Sequence, residues 1–240
     1  TLLARKVAVK QVTSTAHLSD EAAREVRNRA MREGRIAARL SSPHAIAMYD
    51  VAIEDGEPWL VMEYMPSRSL AQALNTTDFL PPYEVAQVGA QVADALIEAH
   101  EAGIVHRDIK PGNILIADRG RTLGIVKISD FGISRARGDV EESDSSVITG
   151  TPAYFAPEVA RGQDPTEASD VFSLGLVFGE LVVGEPVRPA IPLSDQSEDI
   201  PPLVDRLFLT ATADAPIDRF RNIGAFLNDL GRACPEKARH

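Results

Sequence analysis

The hydrophobic pattern of the chain changes period once, and that change limits the folds open to it. Lys6-Val7-Ala8-Val9-Lys10-Gln11-Val12 alternates apolar and polar residues, the two-residue period of a half-buried strand. Ser19 and Asp20 then offer an N-cap to a helical pattern over 20–40. Strands are predicted over 46–54 and 58–64, with Glu54-Asp55-Gly56-Glu57 as the turn between them. Beyond Pro66 helical patterns dominate, over 69–75, 82–102, 156–161, 169–184, 200–210 and 221–233. Two short strands, 113–117 and 124–129, are joined by Asp118-Arg119-Gly120, and 132–156 reads as a loop rich in Gly, Ser and acids. The prediction is an α+β chain in two lobes. A small strand-rich lobe covers 1–65 and a larger helical one 66–240, with a hinge near Tyr64 to Ser67 and a ligand cleft between them.

Composition removes several other classes. Of the 240 residues 44% are hydrophobic and 25% charged, which gives a sizeable core and excludes a disordered or collagen-like chain. A net charge of -10 speaks against a generic nucleic-acid binder. Cys234 is the single cysteine, so no disulfide forms within the chain and no multi-cysteine zinc site exists. That usage fits a reducing compartment, and Cys234 is read as a spectator near the C-terminus. No apolar run reaches the ~18 residues of a membrane span. The nearest, Val171 to Val183, is broken by Ser173 and Glu180. No signal peptide is read at the start, and no period of ~20–50 residues repeats.

Two strings carry chemistry. His106-Arg107-Asp108-Ile109-Lys110-Pro111-Gly112-Asn113 is followed, 17 residues past Asn113, by Asp130-Phe131-Gly132 at a strand end. Phosphoryl transfer needs hard oxygen ligands for a divalent cation, a carboxylate to take the proton of the attacking hydroxyl, and positive charge on the moving phosphate. Asp108, Lys110, Asn113 and Asp130 supply these from two neighbouring loops. No G-x-x-x-x-G-K-[ST] string occurs, which excludes a P-loop ATPase.

These strings resemble the catalytic loop and the Asp-Phe-Gly signature of the protein kinases. The resemblance runs from the family's third strand to its last helix and implies a bilobal kinase-like fold, one kinase domain with a truncated small lobe. It implies Asp108 as catalytic base, Lys110 on the γ-phosphate, and Asn113 and Asp130 as metal ligands. Val7-Ala8-Val9-Lys10 is similar to the family's third-strand lysine motif, which puts Lys10 on the α- and β-phosphates. Such a lysine takes a carboxylate from the following helix. Val26, Ala30, Glu33, Ala37 and Leu40 share one helical stripe, so Glu33 is the expected partner, ahead of Glu21 and Glu25. Gly34, beside it, costs about 0.5–1 kcal/mol against alanine in a helix. The helix is expected to be soft there and the Lys10–Glu33 pair open at rest.

The adenine pocket follows from the same resemblance. Ala8 and Leu115 would sandwich the base, Met62 would be the gatekeeper, and Glu63 to Met65 would offer hinge backbone. Trp59 is read as strand packing. Gly150 to Glu158 resembles the end of an activation segment. Thr151 then bridges Asp108 and Lys110 and, with Lys110, points to Ser/Thr substrates. Asp170 resembles the aspartate that braces the catalytic loop, and Glu158 would pair with Arg219. Arg107 implies control by loop phosphorylation, with Ser143 or Ser145 as the autophosphorylation site. Asp139, Glu141, Glu142 and Asp144 could stand in part for a phosphate, and Ser146 and Thr149 also lie in the loop.

Two pieces of the family pattern are missing. No glycine-rich G-x-G-x-x-G loop occurs, and Thr1 to Arg5 reads like the approach to the third strand, so a truncated chain with an exposed sheet edge is expected. The substrate-docking helix is expected to be absent or very short over Val187 to Pro202, a stretch with four prolines. The implied activity is a serine/threonine protein kinase of bacterial, eukaryotic-like flavour. It would use ATP with Mg²⁺ (or Mn²⁺) on protein substrates, in the cytoplasm, with any membrane anchor outside this chain. The rival reading is a pseudokinase scaffold.

Overall fold

In the first strand Ala8 and Lys10 are half-buried while Val7 and Val9 are exposed, so pairing with its neighbour, rather than burial of the valines, holds it. Capping at the first helix and a tight turn between the next two strands complete the front of the molecule. A computed structural model describes residues 5–12, 19–76, 81–117, 124–131 and 152–234. Strand β1 (Val7–Gln11) leads to helix α1 (Asp20–Ala37). The Ser19 hydroxyl accepts the Ala22 N–H at 3.3 Å, and Asp20 and Glu21 place negative charge in the first turn. Strands β2 (Met48–Glu54) and β3 (Glu57–Glu63) form a hairpin around Asp55 and Gly56, both at positive φ. The antiparallel sheet runs β1-β3-β2, with Ala8 opposite Met62 and Met48 also opposite Met62. Its small core is Ala37, Leu60 and Met62, with Ala8, Val12, Ile46, Met48 and Val51 against it. Trp59 lies half-buried within β3, as its strand reading expected.

Ala30, Ala37 and Leu40 of the helical stripe are buried and Glu33 is half-buried among them. Helix α1 runs unbroken through Gly34. The glycine has a packing reason: a Cβ there would sit 2.2 Å from Val51 Cγ2. Its missing side chain is what lets α1 lie close on β2.

Behind the hinge, a second sheet and the helices take over. The short strand β4 (Ser67–Ser69) pairs with β5 (Ile114–Ala117), which pairs with β6 (Val126–Ile128). The periodicity of the sequence does not reveal β4, because three polar residues carry no alternation to read. Helix α2 (Leu70–Leu74) starts on a capping box between Ser69 and Gln72, and α3 (Pro82–Glu101) has proline at its first position. Helices α4 (Pro157–Ala160), α5 (Glu167–Val183), α6 (Pro202–Ala211) and α7 (Ile223–Ala233) follow.

Helix α5 is buried from Ser169 to Leu181. A helix buried on all sides belongs at the centre of a core, and Phe172, Leu174, Val177 and Leu181 fill that place, alongside the buried polar Asp170, Ser173 and Glu180. Among the described residues no helix is long and apolar enough to cross a membrane. Cys234 is buried in the same core, and burial pushes its thiol pKa up, which makes it inert.

Between α5 and α6 there is no α-helix, only a 3₁₀ turn at Leu193–Asp195. Leu193 plugs the core, and the Asp205 carboxylate accepts from the Ser194 N–H and hydroxyl at 3.0 and 2.5 Å. The Gln196 amide reaches the Ile191 carbonyl at 2.9 Å and accepts the Arg188 N–H at 2.8 Å. The expected missing helix is replaced by a stitched loop.

Candidate functional site

The two motif strings meet at the mouth of the second sheet. Strand β5 begins directly after Asn113, and β6 ends two residues before Asp130. Pairing of Ile114 with Ile128 therefore sets the loops that carry Asp108, Asn113 and Asp130 side by side. Ser129 fixes the junction: its N–H and its hydroxyl both donate to the Asn113 carbonyl, at 2.8 and 3.0 Å.

Asp108 is the hub of the first loop. Its Oδ2 accepts from Lys110 Nζ and from Asn113 Nδ2, both at 2.9 Å. The same Asn113 amide donates to the Asp108 carbonyl at 2.8 Å. With its NH₂ end so occupied, Asn113 turns its oxygen away as an acceptor, the end that a hard cation would use.

Helix α5 braces this loop from beneath. Asp170, 1% exposed, accepts the His106 N–H at 2.7 Å, the Arg107 N–H at 2.9 Å and His100 Nε2 at 2.8 Å. Arg107 has φ 72° and Asp130 φ 64°. Left-handed backbone at non-glycine residues costs on the order of 1–3 kcal/mol each and persists only where neighbours over-determine it. At Arg107 the Asp170 carboxylate does so.

His106 is fully buried and its ring lies 4.6 Å from that of Phe131. Asp108 N–H donates to Nδ1 at 3.2 Å, and Nε2 lies 3.0 Å from the Ser129 carbonyl. Only the neutral ring with its proton on Nε2 satisfies both contacts. Burial lowers its pKa accordingly.

Lys10 Nζ donates to Asp130 Oδ2 at 2.8 Å. The lysine thus lies beside the Asp-Phe-Gly carboxylate, where the sequence leads one to expect a Lys10–Glu33 pair that is open at rest. Helix continuity through Gly34 shows that the different partner needs no break in α1. An ammonium held on the carboxylate that a metal would use is a charge relation that incoming phosphates and a cation could rearrange.

The residues expected around adenine divide between the sheets. Ala8 and Met62 are paired in the first, and Leu115 lies in the second, opposite Ser69 and Lys127. Met62 is buried, while Ala8, Leu115 and Met65 are half-buried. The Glu63 side chain grips Lys127 Nζ through both oxygens, at 2.9 and 2.7 Å. Thr151, Gly132, Ser143 and Ser145 lie outside the described residues.

The expected Glu158–Arg219 pair is present and buried, with two 2.7 Å contacts. Arg219 spends its other three donors on the carbonyls of Ala213, Ala168 and Asp214, and its guanidinium lies 4.8 Å from the Phe172 ring centre. Burial alone would raise the Glu158 pKa. The Arg219 hydrogen bonds and charge outweigh it and hold the carboxyl below its usual range.

Sequence reasoning missed three contributors. Lys127 was a lysine between two apolar strand residues, a signal that a buried partner must exist. His100 looked like any polar residue on α3. Tyr154 donates its hydroxyl to the buried Glu180 carboxylate on α5, and Ser173 Oγ donates to the Tyr154 carbonyl at 2.7 Å. Burial raises the pKa of both Tyr154 and Glu180. That contact anchors the segment before α4 onto the central helix.

Residues 3–236 match the protein kinase domain family. The chain belongs to that family. A "Probable serine/threonine-protein kinase PknB" of Corynebacterium glutamicum is 34% identical over 100% of this chain and 40% of its own length. The serine/threonine-protein kinase PknL of Mycobacterium tuberculosis is 35% identical over 98% of this chain and 61% of its own. The chain thus spans about two-fifths to three-fifths of these relatives. A crystal structure of a variant Mycobacterium tuberculosis PknI kinase domain matches with a TM-score of 0.75 and 30% identity, covering 95% of this chain and 84% of that one. The chain is a kinase domain of the bacterial serine/threonine type, with the α+β bilobal fold of that family.

Proposed function

We propose that this domain transfers the γ-phosphate of ATP, with Mg²⁺, to serine or threonine hydroxyls of proteins. The observation that carries the reading is the Asp108–Lys110–Asn113 cluster joined by Ser129 to the strand end that presents Asp130. Asp108 orients the attacking hydroxyl and takes its proton as the bond to phosphorus forms. Lys110, already held at Asp108, offsets charge on the transferring phosphoryl group.

Asp130 and the Asn113 oxygen would hold the cation, which when bound would supply Lewis-acid charge neutralisation on the phosphates. Hard carboxylate and amide oxygens of this kind suit Mg²⁺. Mn²⁺ fits the same oxygens. Lys10 serves the α- and β-phosphates and Glu33 is its partner in the closed state. Ala8, Leu115, Met62 and the backbone of Glu63 and Met65 take adenine. The family resemblance assigns Thr151 to the acceptor side of Asp108 and Lys110, which would favour Ser/Thr acceptors.

The protein works in the cytoplasm, where ATP is available, with any membrane attachment through a segment outside this chain. It phosphorylates its own loop at Ser143 or Ser145, which Arg107 then grips. The test is incubation of the full-length protein with γ-labelled ATP and Mg²⁺, beside Asp130→Asn, followed by mapping of the labelled residues. Label on Ser143, Ser145 or an added protein, absent from the variant, supports the reading. Folded wild-type protein that incorporates no more label than the variant means a scaffold instead.

A further inference from the structure

The Glu63–Lys127 pair crosses from one lobe to the other, and nothing in the transfer chemistry requires it. Glu63 is the last residue of β3, directly after Met62, where the chain enters the hinge. Lys127 is the middle residue of β6, three before Asp130 and in register with Leu115. Its neighbours Val126 and Ile128 are fully buried, and its own side chain is 14% exposed. The ammonium has three acceptors: Glu63 Oε1 at 2.9 Å, Glu63 Oε2 at 2.7 Å and the Ala45 carbonyl at 3.4 Å. Glu63 Oε2 also accepts the Ala47 N–H at 3.2 Å.

The segment between α1 and β2 is sewn to the same strand. Ile46 N–H donates to the Ile128 carbonyl at 2.9 Å, and Ile128 N–H to the His44 carbonyl at 2.8 Å. One ion pair thus joins the hinge end of β3, the 44–47 segment and the strand that presents Asp130.

We propose that Lys127 and the Glu63 side chain are positioning residues that set the span between the adenine-holding hinge and the metal-holding Asp130. The inference rests on the ATP reading above. Mg²⁺-ATP touches both ends of that span, adenine at the Glu63–Met65 backbone and the phosphates with their cation at Asp130. Adenosine touches only the hinge. An exposed ion pair contributes little. This one is bidentate and mostly buried, so removing one partner strands the other's charge and loosens the span.

The experiment measures binding of Mg²⁺-ATP and of adenosine by calorimetry, in the full-length wild type, Lys127→Met, Lys127→Arg, Glu63→Gln and the Glu63→Met/Lys127→Met double variant. Thermal unfolding establishes that each is folded. Positioning predicts about tenfold weaker Mg²⁺-ATP binding in both Lys127→Met and Glu63→Gln, as expected for loss of a coupled pair. Adenosine should stay within about twofold of wild type, Lys127→Arg should recover most of the loss, and the double variant should be no worse than either single one.

A direct effect of charge on the phosphates predicts instead that Glu63→Gln tightens Mg²⁺-ATP while Lys127→Met weakens it. That result overturns the proposal, as does equal loss for adenosine and Mg²⁺-ATP, or no loss in either single variant. Should Lys127→Met not fold, Glu63→Gln and Lys127→Arg decide alone. Wild-type protein that binds Mg²⁺-ATP but transfers no phosphate would sink the proposed activity and leave this comparison intact. Wild-type protein that binds no Mg²⁺-ATP overturns both.

Discussion

His106 receives the Asp108 N–H at Nδ1 and donates from Nε2 to Ser129, in a site with no room for solvent. Burial lowers its pKa below the ordinary value of 6.5, and the sign of its effect on stability follows. Below about pH 6.5 the unfolded chain takes up a proton at this residue while the folded one does not. The unfolded state then binds more protons, so stability is full above that pH and falls as the pH drops toward the folded pKa. One proton sets a limit of about 1.4 kcal/mol per pH unit. Urea unfolding of wild type and His106→Gln between pH 7 and 5.5 should show a steeper decline in the wild type. Parallel curves would mean that His106 is protonated in the fold. The sequence placed His106 in a recognisable string but gave no hint of its protonation state. That state comes from Ser129 and Phe131, more than 20 positions away, which only folding brings to the ring.

At the scale of elements, α1 and β2 depend on Gly34. Alanine there would gain roughly 1 kcal/mol of helix propensity, yet its Cβ would meet Val51 Cγ2 at 2.2 Å. Val51 is β-branched and half-buried, so its methyl cannot easily swing aside. Overpacking of this kind costs about 1–3 kcal/mol, so Gly34→Ala should lower the thermal midpoint. Gly34→Ala with Val51→Ala should recover stability relative to Gly34→Ala, because the clash is gone and the propensity gain remains. A Gly34→Ala protein more stable than wild type would show that α1 sits further from β2.

The sequence pattern correctly placed α1, and the glycine was visible, but its reason was not. A helix-softening residue and a close-packing residue look alike until the partner strand is known. Strand β4 was illegible for a related reason. Ser67, Arg68 and Ser69 have no apolar period, and their strand conformation comes from pairing with Leu115 to Ala117.

Across the whole molecule, the two-lobed α+β plan followed from one change of hydrophobic period, and the long helices and strands fall within a few residues of their predicted ranges. Long-range side-chain pairing was legible only where motifs imposed it. Glu158 with Arg219 and Asp170 beneath the catalytic loop could be named in advance. Lys10 with Asp130 and Glu63 with Lys127 could not, since they join residues 120 and 64 positions apart and leave no periodic trace.

Both pairs join the first sheet to the second or to the residues just beyond it, and the central claim is that this domain transfers phosphate with Asp108 as its base. The most direct test is steady-state phosphate transfer by the full-length protein and its Asp108→Asn variant, with kcat and KM for ATP measured separately. A general base contributes on the order of 10²–10⁴-fold. With Asp108 acting on the acceptor hydroxyl as proposed, kcat should fall by about that factor while KM for ATP stays within about twofold. An unchanged kcat in Asp108→Asn would contradict the account.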